Sequence, residues 1–590
     1  MTEHSGVVSR RAVLRGAAVA GALTAGSLTV RPVPAVAAPA RRVAVFGGGV
    51  AGLTAAHELA ERGFEVTLYE PRALGGKARS IVVPGTGRDG RPDLPGEHGF
   101  RFFPGFYHHI PETMRRIPFP GNANGVWDNL VAASEARFTR TGAPDTFLPM
   151  GKGKSWASPD DFRQTIASGI STSARMPADD ALYFANRLLV FNTSCDARRV
   201  GQWENVAWRD FLGARARSLE FRALMSRTLT TLLVAAKDDR ASTRTIGGMG
   251  EQFLGNPREI GNDGPMDRLL DGPTSRAWID PWVRRLTELG VRIVTARLRG
   301  LDVRDRRIAG ARITGARIAD GAGAESAVDA DHFVLAVPVD VARRLWTPEI
   351  LAVQPELAAM NRLCVDWMTG IQFYLRRPAG VARGHTAYID TPWSLTSIAQ
   401  NQFWSRTPLS GFGDGTVRDC LSVDVSDWST PGILFGKPAR ECTHEQIARE
   451  VWAQLRAALA GKAELRDADL HSWFLDSGVT WDPARGVNSN ADPLLINTVG
   501  SWSARPQPHG ALENLFLAGD YVRTAIDLAT MEGACESARR AVNALLDTVG
   551  SNAPRCALFP LYRATELEPM RQADIARYSA GRPNMFDTTV

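Results

Sequence analysis

No apolar run in this 590-residue chain reaches the roughly 18–20 residues a membrane-spanning helix needs, so the sequence excludes a bilayer-embedded body. None of its six cysteines (Cys195, Cys364, Cys420, Cys442, Cys535, Cys556) forms a Cys-x-x-Cys pair, and no Cys/His cluster has zinc-ligand spacing. A zinc module and a dithiol redox centre are thereby excluded, and no metal site is expected. The thiols read as single buried residues, with a disulfide open only to an exported protein. Lys and Arg form no stripe, and a net charge of +6 is small for this length, so a nucleic-acid partner is excluded too. With 44% hydrophobic and 22% charged residues the chain is globular, not disordered. It is long enough for two or three domain-sized cores. One phosphate-loop look-alike, Gly153-Lys154-Ser155, fails because Leu148 stands where the first glycine belongs.

The N-terminus is of another kind. Arg10-Arg11 precedes a weakly apolar stretch, Gly16 to Val30, and Ala35-Val36-Ala37 supplies a small-x-small cleavage site. This is the layout of an export signal of the twin-arginine type, spanning 1–37. Its removal takes four arginines and Glu3 away and leaves the mature chain at +3. If the signal is unused, the protein stays in the cytoplasm with a basic N-terminal tail.

What the sequence has is glycine in informative places. The β-prone run Val43–Phe46 leads at once into Gly47-x-Gly49-x-x-Gly52. In such a turn the first glycine permits the tight bend, the second lets backbone approach a pyrophosphate, and the third lets helix pack on strand. The helix expected from about Val50 to Arg62 turns its first N–H groups, at Val50 and Ala51, toward the phosphates. Gly63 ends it, a second strand follows, and Glu70 closes that strand 18 residues after Gly52, where a carboxylate accepts from ribose hydroxyls. Strand, turn, helix, strand and acid together specify a dinucleotide, without choosing between a flavin and a nicotinamide.

The far end of the chain repeats the theme. Leu515–Ala518 is a short apolar strand ending in Gly519-Asp520, and Met531–Leu546 is helical in pattern with small residues in its first turn. Between the two ends, an amphipathic helix and Gly290 precede a strand near Val291–Thr295, and Phe333–Val337 reads as another buried strand.

Acid, then Gly75-Gly76-Lys77 and Arg79, and then the distant "AGDYVRTAIDLATMEGA", together resemble flavin enzymes of the amine oxidase and phytoene desaturase superfamily. Gly96 to Pro118 ("GEHGFRFFPGFYHHIPETMRRIP") and "LATMEGA" are most similar to the branch of plant-type phytoene and ζ-carotene desaturases and hydroxysqualene dehydroxylases. The resemblance implies an α/β fold. Its Rossmann-type FAD-binding domain is discontinuous, built from 38–110, 265–345 and 495–550. A mixed α+β substrate domain fills 111–264, expected to be largely helical, and 346–494, with strand-like "DWMTGIQFYL" and "GILFG". A tail occupies 551–590. The implied cofactor is FAD. It is non-covalent, because Ala529 and Thr530, not a cysteine, precede Met531. The implied cofactor-binding residues are Gly47, Gly49, Val50, Ala51, Gly52, Glu70, Gly75, Gly76, Lys77, Arg79, Gly99, Phe100, Arg101, Phe102, Val294, Gly519, Asp520, Thr530, Met531 and Ala534. Lys77 and Arg79 are placed to meet phosphate oxygens. The start of the last helix is placed to stabilise charge at the N1/C2=O edge of a flavin.

Catalysis then falls to hydride transfer from a small, apolar, isoprenoid-like or polycyclic substrate, with O₂ or a quinone as electron acceptor and a peripheral membrane contact open. Candidate catalytic residues are Arg101, for an anionic flavin or polar substrate group, and His98, for a proton near neutrality; a histidine merely hydrogen-bonded within the loop is the simpler reading of His98. Arg244 reads more readily as a helix-end ion pair than as a pocket residue. Nine of the fifteen tryptophans lie between Trp346 and Trp502, as an apolar tunnel wall or as plain core. Two other functions stay open at this point. One is an amine or amino-acid oxidase producing peroxide, with Trp502 and Tyr521 as flavin-facing aromatics. The other is a non-enzymatic prenyl-chain binder of the GDP-dissociation-inhibitor type, which the intact glycine turn disfavours.

Overall fold

The apolar run at Val43–Phe46 becomes the middle of a five-stranded sheet whose neighbours come from remote parts of the chain. Strand Arg42–Phe46 pairs in parallel with Glu65–Tyr69 on one side and His332–Leu335 on the other; Arg292–Val294 and Leu515–Leu517 form the edges, also parallel. Helix Val50–Ala60 crosses between the first two strands and lies buried against the last long helix, Met531–Thr548. Gly63 ends the crossover with φ +78°, a left-handed conformation glycine adopts without strain. In the computed structural model the described residues are 41–149, 158–174, 176–255, 261–304, 311–462 and 465–588; the export-signal segment with Arg10 and Arg11 lies outside them, as does Gly153–Ser155.

A second, seven-stranded sheet runs in the order Leu470–Leu475, Thr369–Leu375, Asp419–Val425, Leu395–Ala399, Thr386–Tyr388, Glu135–Arg140 and Ala143–Pro149. It is antiparallel except where Thr386–Tyr388 meets Glu135–Arg140. Helix His444–Leu459, started by a Thr443/Gln446 capping box, packs on it over a core containing Trp393, Trp428 and Trp452. The helical part comprises Pro159–Ala174, Ala178–Asn192, Thr243–Gly255 and the π-wound Arg222–Leu232. Both sheets belong to one compact unit, Arg41–Val590. The tail packs back on it: in helix Glu568–Ser579 the buried Asp574 accepts from Arg198 Nε at 2.9 Å and from the Cys195 N–H at 3.0 Å.

Residues 111–264 are largely helical and also carry a hairpin, Glu135–Arg140 and Ala143–Pro149, about Gly142 (φ +67°). Their Arg, Glu, Ala and Phe residues hide the two-residue period of a strand. "GILFG" is a turn rather than a strand. The N–H groups of Ile433, Leu434 and Phe435 all donate to the buried Glu450 carboxylate (2.6, 2.8 and 3.0 Å), so none is left for a ladder. The tryptophans at 346, 393, 404, 428 and 452 sit inside hydrophobic cores, so these five are plain core.

Candidate functional site

The site begins at the glycine turn. Gly47 has φ +106°, and a Cβ there would strike the Ala336 carbonyl; a Cβ on Gly52 would overlap the Gly47 carbonyl. Gly49 is different: the nearest atom to its would-be Cβ is Gly76 Cα, 3.9 Å away, so it faces a gap instead of a wall. Gly76 closes that gap from the far side with φ +56°. The two glycine segments are tied together, as the Gly75 N–H donates to Gly48 O at 2.8 Å. Gly49 is the N-cap and carries no side chain, so the first N–H groups of helix Val50–Ala60, those of Val50, Ala51 and Gly52, have no side-chain cap. A cradle of bare N–H groups at a helix start, lined by two glycines facing each other, suits a pyrophosphate. The Glu70 carboxylate accepts from the N–H groups of Gly48 (2.7 Å) and Arg72 (2.9 Å), which fixes it at the strand end with acceptor capacity to spare. The Val294 carbonyl accepts from the Glu70 N–H at 3.0 Å, placing the edge strand beside it.

The two cations of the second glycine segment are engaged elsewhere. Lys77 donates to the Pro493 carbonyl, and Arg79 Nη1 to Gly76 O at 2.6 Å. Each bond uses one donor of a side chain that has three on Lys77 and five on Arg79, so the loop is tied down and further donors remain.

From the other end, Gly519 (φ +129°) donates its N–H to Ser537 Oγ at 2.8 Å, which seats the turn on helix Met531–Thr548. Asp520 follows, and no donor among the described residues bonds its carboxylate. Thr530 is the N-cap of that helix and its Oγ1 accepts from Gly533 N–H at 3.0 Å; Ala534 N–H donates to Thr530 O, and the Met531 and Glu532 N–H groups have no partner among the described residues. Just upstream, Asp527 has φ +48° and receives Arg244, Arg505, Thr245 and Asn497. Arg244 is therefore a structural ion pair that also lies over Trp502 at 3.6 Å.

The aromatic loop joins these two halves. Glu532 is buried, and its carboxylate accepts from the N–H groups of His108 (2.8 Å), His109 (2.7 Å) and Ile110 (3.0 Å) and from His109 Nδ1 (2.7 Å). The Phe559 N–H donates to His109 Nε2 at 3.1 Å, so Nδ1 carries the ring proton. At the loop's start, Gly99 lies against the second sheet: a Cβ would sit 2.5 Å from Asp424 Oδ1, and Gly370 N–H donates to His98 O at 2.6 Å. Phe100 is buried with Leu94, Tyr374, Ile398 and Phe403 in the core on that side, while Phe102 is half-buried. Arg101 donates to the carbonyls of Gly99 (2.6 Å), Phe100 (3.1 Å) and Lys77, bridging the loop to the glycine pair. Burial lowers its guanidinium from the usual value against the pull of Glu97, Asp424 and Asp476. His98 pairs through Nδ1 with the buried Asp476, which ties the loop to the end of strand Leu470–Leu475.

Sequence reasoning missed the acids around this loop. Burial raises the Glu97 carboxyl and pushes Asp424 up to about 7, and one oxygen of each is buried without a hydrogen-bond partner. The signal for Asp424 was present as a lone carboxylate inside the apolar run "CLSVDV".

A Rossmann sheet whose nucleotide cradle is closed by a distant Gly-Asp turn and a capped helix defines a flavin-dependent oxidoreductase. The chain belongs to the flavin containing amine oxidoreductase family, whose profile matches residues 50–546. It is 24% identical over 550 residues to a ζ-carotene desaturase of Capsicum annuum (85% of this chain, 80% of that protein). With a 15-cis-phytoene desaturase of Synechococcus elongatus it shares 22% over 552 residues (92% and 98%). A carotenoid φ-ring synthase of Chlorobaculum tepidum is 27% identical over 315 residues; there the match spans 51% of this chain and 43% of that protein. Among solved structures, cyclohexylamine oxidase from Brevibacterium oxydans superposes with a TM-score of 0.54 at 13% identity, covering 87% of this chain and all of that one. A putrescine oxidase gives 0.53 at 13% identity over 86% and 99%. These two share the fold.

Proposed function

We propose that this enzyme uses FAD, held without a covalent bond, to dehydrogenate an apolar isoprenoid-like or polycyclic substrate. The observation that carries the reading is the cradle itself, with Gly49 facing Gly76 at one end and Gly519-Asp520 and Thr530 at the other. The desaturase relatives, matched over most of their length, favour an apolar substrate over an amine. When bound, the flavin supplies a two-electron hydride acceptor. This chain's part is to seat it through the Gly47–Gly52 turn, Glu70 and Asp520, to place the Thr530 helix start at its pyrimidine end, and to wall the substrate side with the aromatic loop. Non-covalent attachment is supported by Cys535, the cysteine nearest in sequence to Met531: it is buried 3.6 Å from Thr113 between helices. O₂ or a quinone takes the electrons onward, and a substrate of this class is met at a membrane surface by an enzyme in peripheral contact with it. No helix among the described residues is long and apolar enough to cross a membrane.

The purified protein is expected to be yellow and to release FAD on heat denaturation. Under anaerobic conditions the flavin absorbance is expected to bleach with isoprenoid or polycyclic substrates and not with amines. Bleaching by amines alone, with peroxide formed in air, sinks the reading.

We also propose export through the twin-arginine route. Its support is the Arg10-Arg11 pair ahead of the small-residue stretch, and the physical fit of a route that carries folded proteins to an enzyme that must load a cytoplasmic cofactor first. Changing Arg10 and Arg11 to lysine is expected to strand the yellow protein in the cytoplasm, read by cell fractionation; undiminished export of that variant rejects it.

A further inference from the structure

The aromatic loop has a neighbour that neither the resemblance nor the cradle explains. The His385 ring stands edge-on to Phe102 at 4.5 Å between centroids and to Phe100 at 5.3 Å. Its Nδ1 is hydrogen-bonded to Asp267 Oδ2 at 2.7 Å. Its Nε2 is buried and has no hydrogen-bond partner. An ionised carboxylate only accepts, so Asp267 holds the proton of the neutral ring on Nδ1 and leaves a lone pair on Nε2. Two further atoms nearby are buried and unpartnered, Asp267 Oδ1 and Asp424 Oδ1; both side chains are more than nine-tenths buried. Unpartnered buried polar atoms are costly, and a group of them beside one loop calls for a polar ligand.

The backbone is built to keep the ring there. Gly384 lies so close to Glu135 that a Cβ would overlap its carbonyl. The His385 carbonyl accepts from Arg137 N–H at 2.8 Å, and the Asp267 carbonyl from Ala133 N–H at 3.0 Å. The charged groups here are Asp267 on the ring's Nδ1 and Asp424, on another strand of the sheet that His385 leads into, which feels both His385 and Arg101. Arg101, between Phe100 and Phe102 in the chain, reaches Lys77 O in the glycine pair, so the loop that packs on the His385 ring also touches the cradle.

We propose that His385, oriented by Asp267, accepts the proton of a substrate hydroxyl, so that the substrate is an alcohol carried on an apolar isoprenoid-like or polycyclic frame. The inference rests on the flavin-oxidoreductase reading and adds the functional group on which it works. A neutral imidazole is a matched base for an O–H whose acidity rises as hydride departs; it is no match for a proton on saturated carbon. The O–H proton passes to Nε2, the electron pair of that bond forms the C=O, and the carbinol C–H bond breaks with its pair leaving as hydride to the bound flavin. The alcohol is oxidised by two electrons to a ketone or aldehyde, and the flavin is reduced by two. Asp267 is a positioning residue, since it fixes the tautomer without touching the substrate.

The test uses the flavin-loaded full-length protein with farnesol and cholesterol beside the corresponding hydrocarbons farnesene and cholestene. Alcohols are expected to bleach the flavin anaerobically and the hydrocarbons not to. His385→Gln is expected to lower the rate of bleaching by alcohols by about 10²–10⁴-fold, the range of a lost general base. Asp267→Asn is expected to lower the rate while leaving hydrocarbon binding, read by tryptophan fluorescence, unchanged. An independent readout needs no variant: the ¹⁵N signal of His385 Nε2 in wild type is expected to shift when alcohol, but not hydrocarbon, binds. Equal bleaching by hydrocarbons, an unchanged rate in His385→Gln, or a ¹⁵N signal indifferent to alcohol overturns the proposal. A protein that holds no flavin overturns instead the reading beneath it.

Discussion

A Gly52→Val variant is expected to purify colourless. The added Cβ would overlap the Gly47 carbonyl, and behind it stands Ala336 Cβ at 3.5 Å, on the segment following an inner strand. Backbone, not a flexible side chain, would have to give way, which costs at least the 1–3 kcal/mol or so of an overpacked core and deforms the turn that meets the pyrophosphate. Flavin content per protein, read from the visible spectrum, should fall at least about tenfold. Gly49→Ala separates folding from binding. Its Cβ meets nothing nearer than Gly76 Cα at 3.9 Å, and its backbone is extended, so the apoprotein should melt as wild type does. The methyl nevertheless projects into the gap between the two glycine segments, and flavin affinity should drop. A yellow Gly52→Val protein, or a Gly49→Ala protein with unchanged flavin affinity, contradicts the cradle as described.

The second large effect is expected at Glu532. Its carboxylate gathers three consecutive backbone N–H groups and a histidine N–H inside the protein. Glu532→Gln keeps the shape and removes the charge, and its amide turns an NH₂ toward donors that need an acceptor. Leaving such donors unmet in a buried site costs about 3–5 kcal/mol by analogy with broken buried ion pairs. The expected result is a much lower unfolding temperature together with loss of flavin, because this one carboxylate ties the start of helix Met531–Thr548 to the aromatic loop. Glu445→Gln is the control: that glutamate also sits in a helix's first turn but is exposed, so its stability should change little. Comparable melting of wild type and Glu532→Gln would remove Glu532 from any such role.

The nucleotide half of the molecule was legible because its demands are local. Gly47 and Gly52 are forced by positive φ or by backbone contact, Glu70 by a strand end, and Gly63 by a helix end, and each leaves its mark within a few residues. Asp424 shows only as a lone carboxylate in an apolar run, and the His385–Asp267 pair leaves no mark at all. Its two members lie 118 residues apart, each just ahead of a short strand, and look like any polar loop residue until the chain folds. The hairpin Glu135–Pro149 was hidden for a related reason, since its arginines and glutamate alternate with small residues too weakly to stand out. Lys77 and Arg79 show what a local reading leaves out: beside a glycine pair they read as phosphate ligands, and the structure adds their bonds to the carbonyls of Pro493 and Gly76.

The parallel sheet has a timetable written into its strand order. Its central strand ends at Phe46, but the outer strand beyond His332–Leu335 begins at Leu515. At ribosomal speeds of about 5–20 residues per second the first must wait on the order of a minute for the last. Throughout that interval an apolar strand lacks its finished neighbours, and a chaperone has something to hold. A ribosome that stalls before Leu515 leaves a nascent chain with a glycine turn and no Gly519-Asp520 to close it. Closure of the cradle thus waits on translation of the Gly519-Asp520 turn.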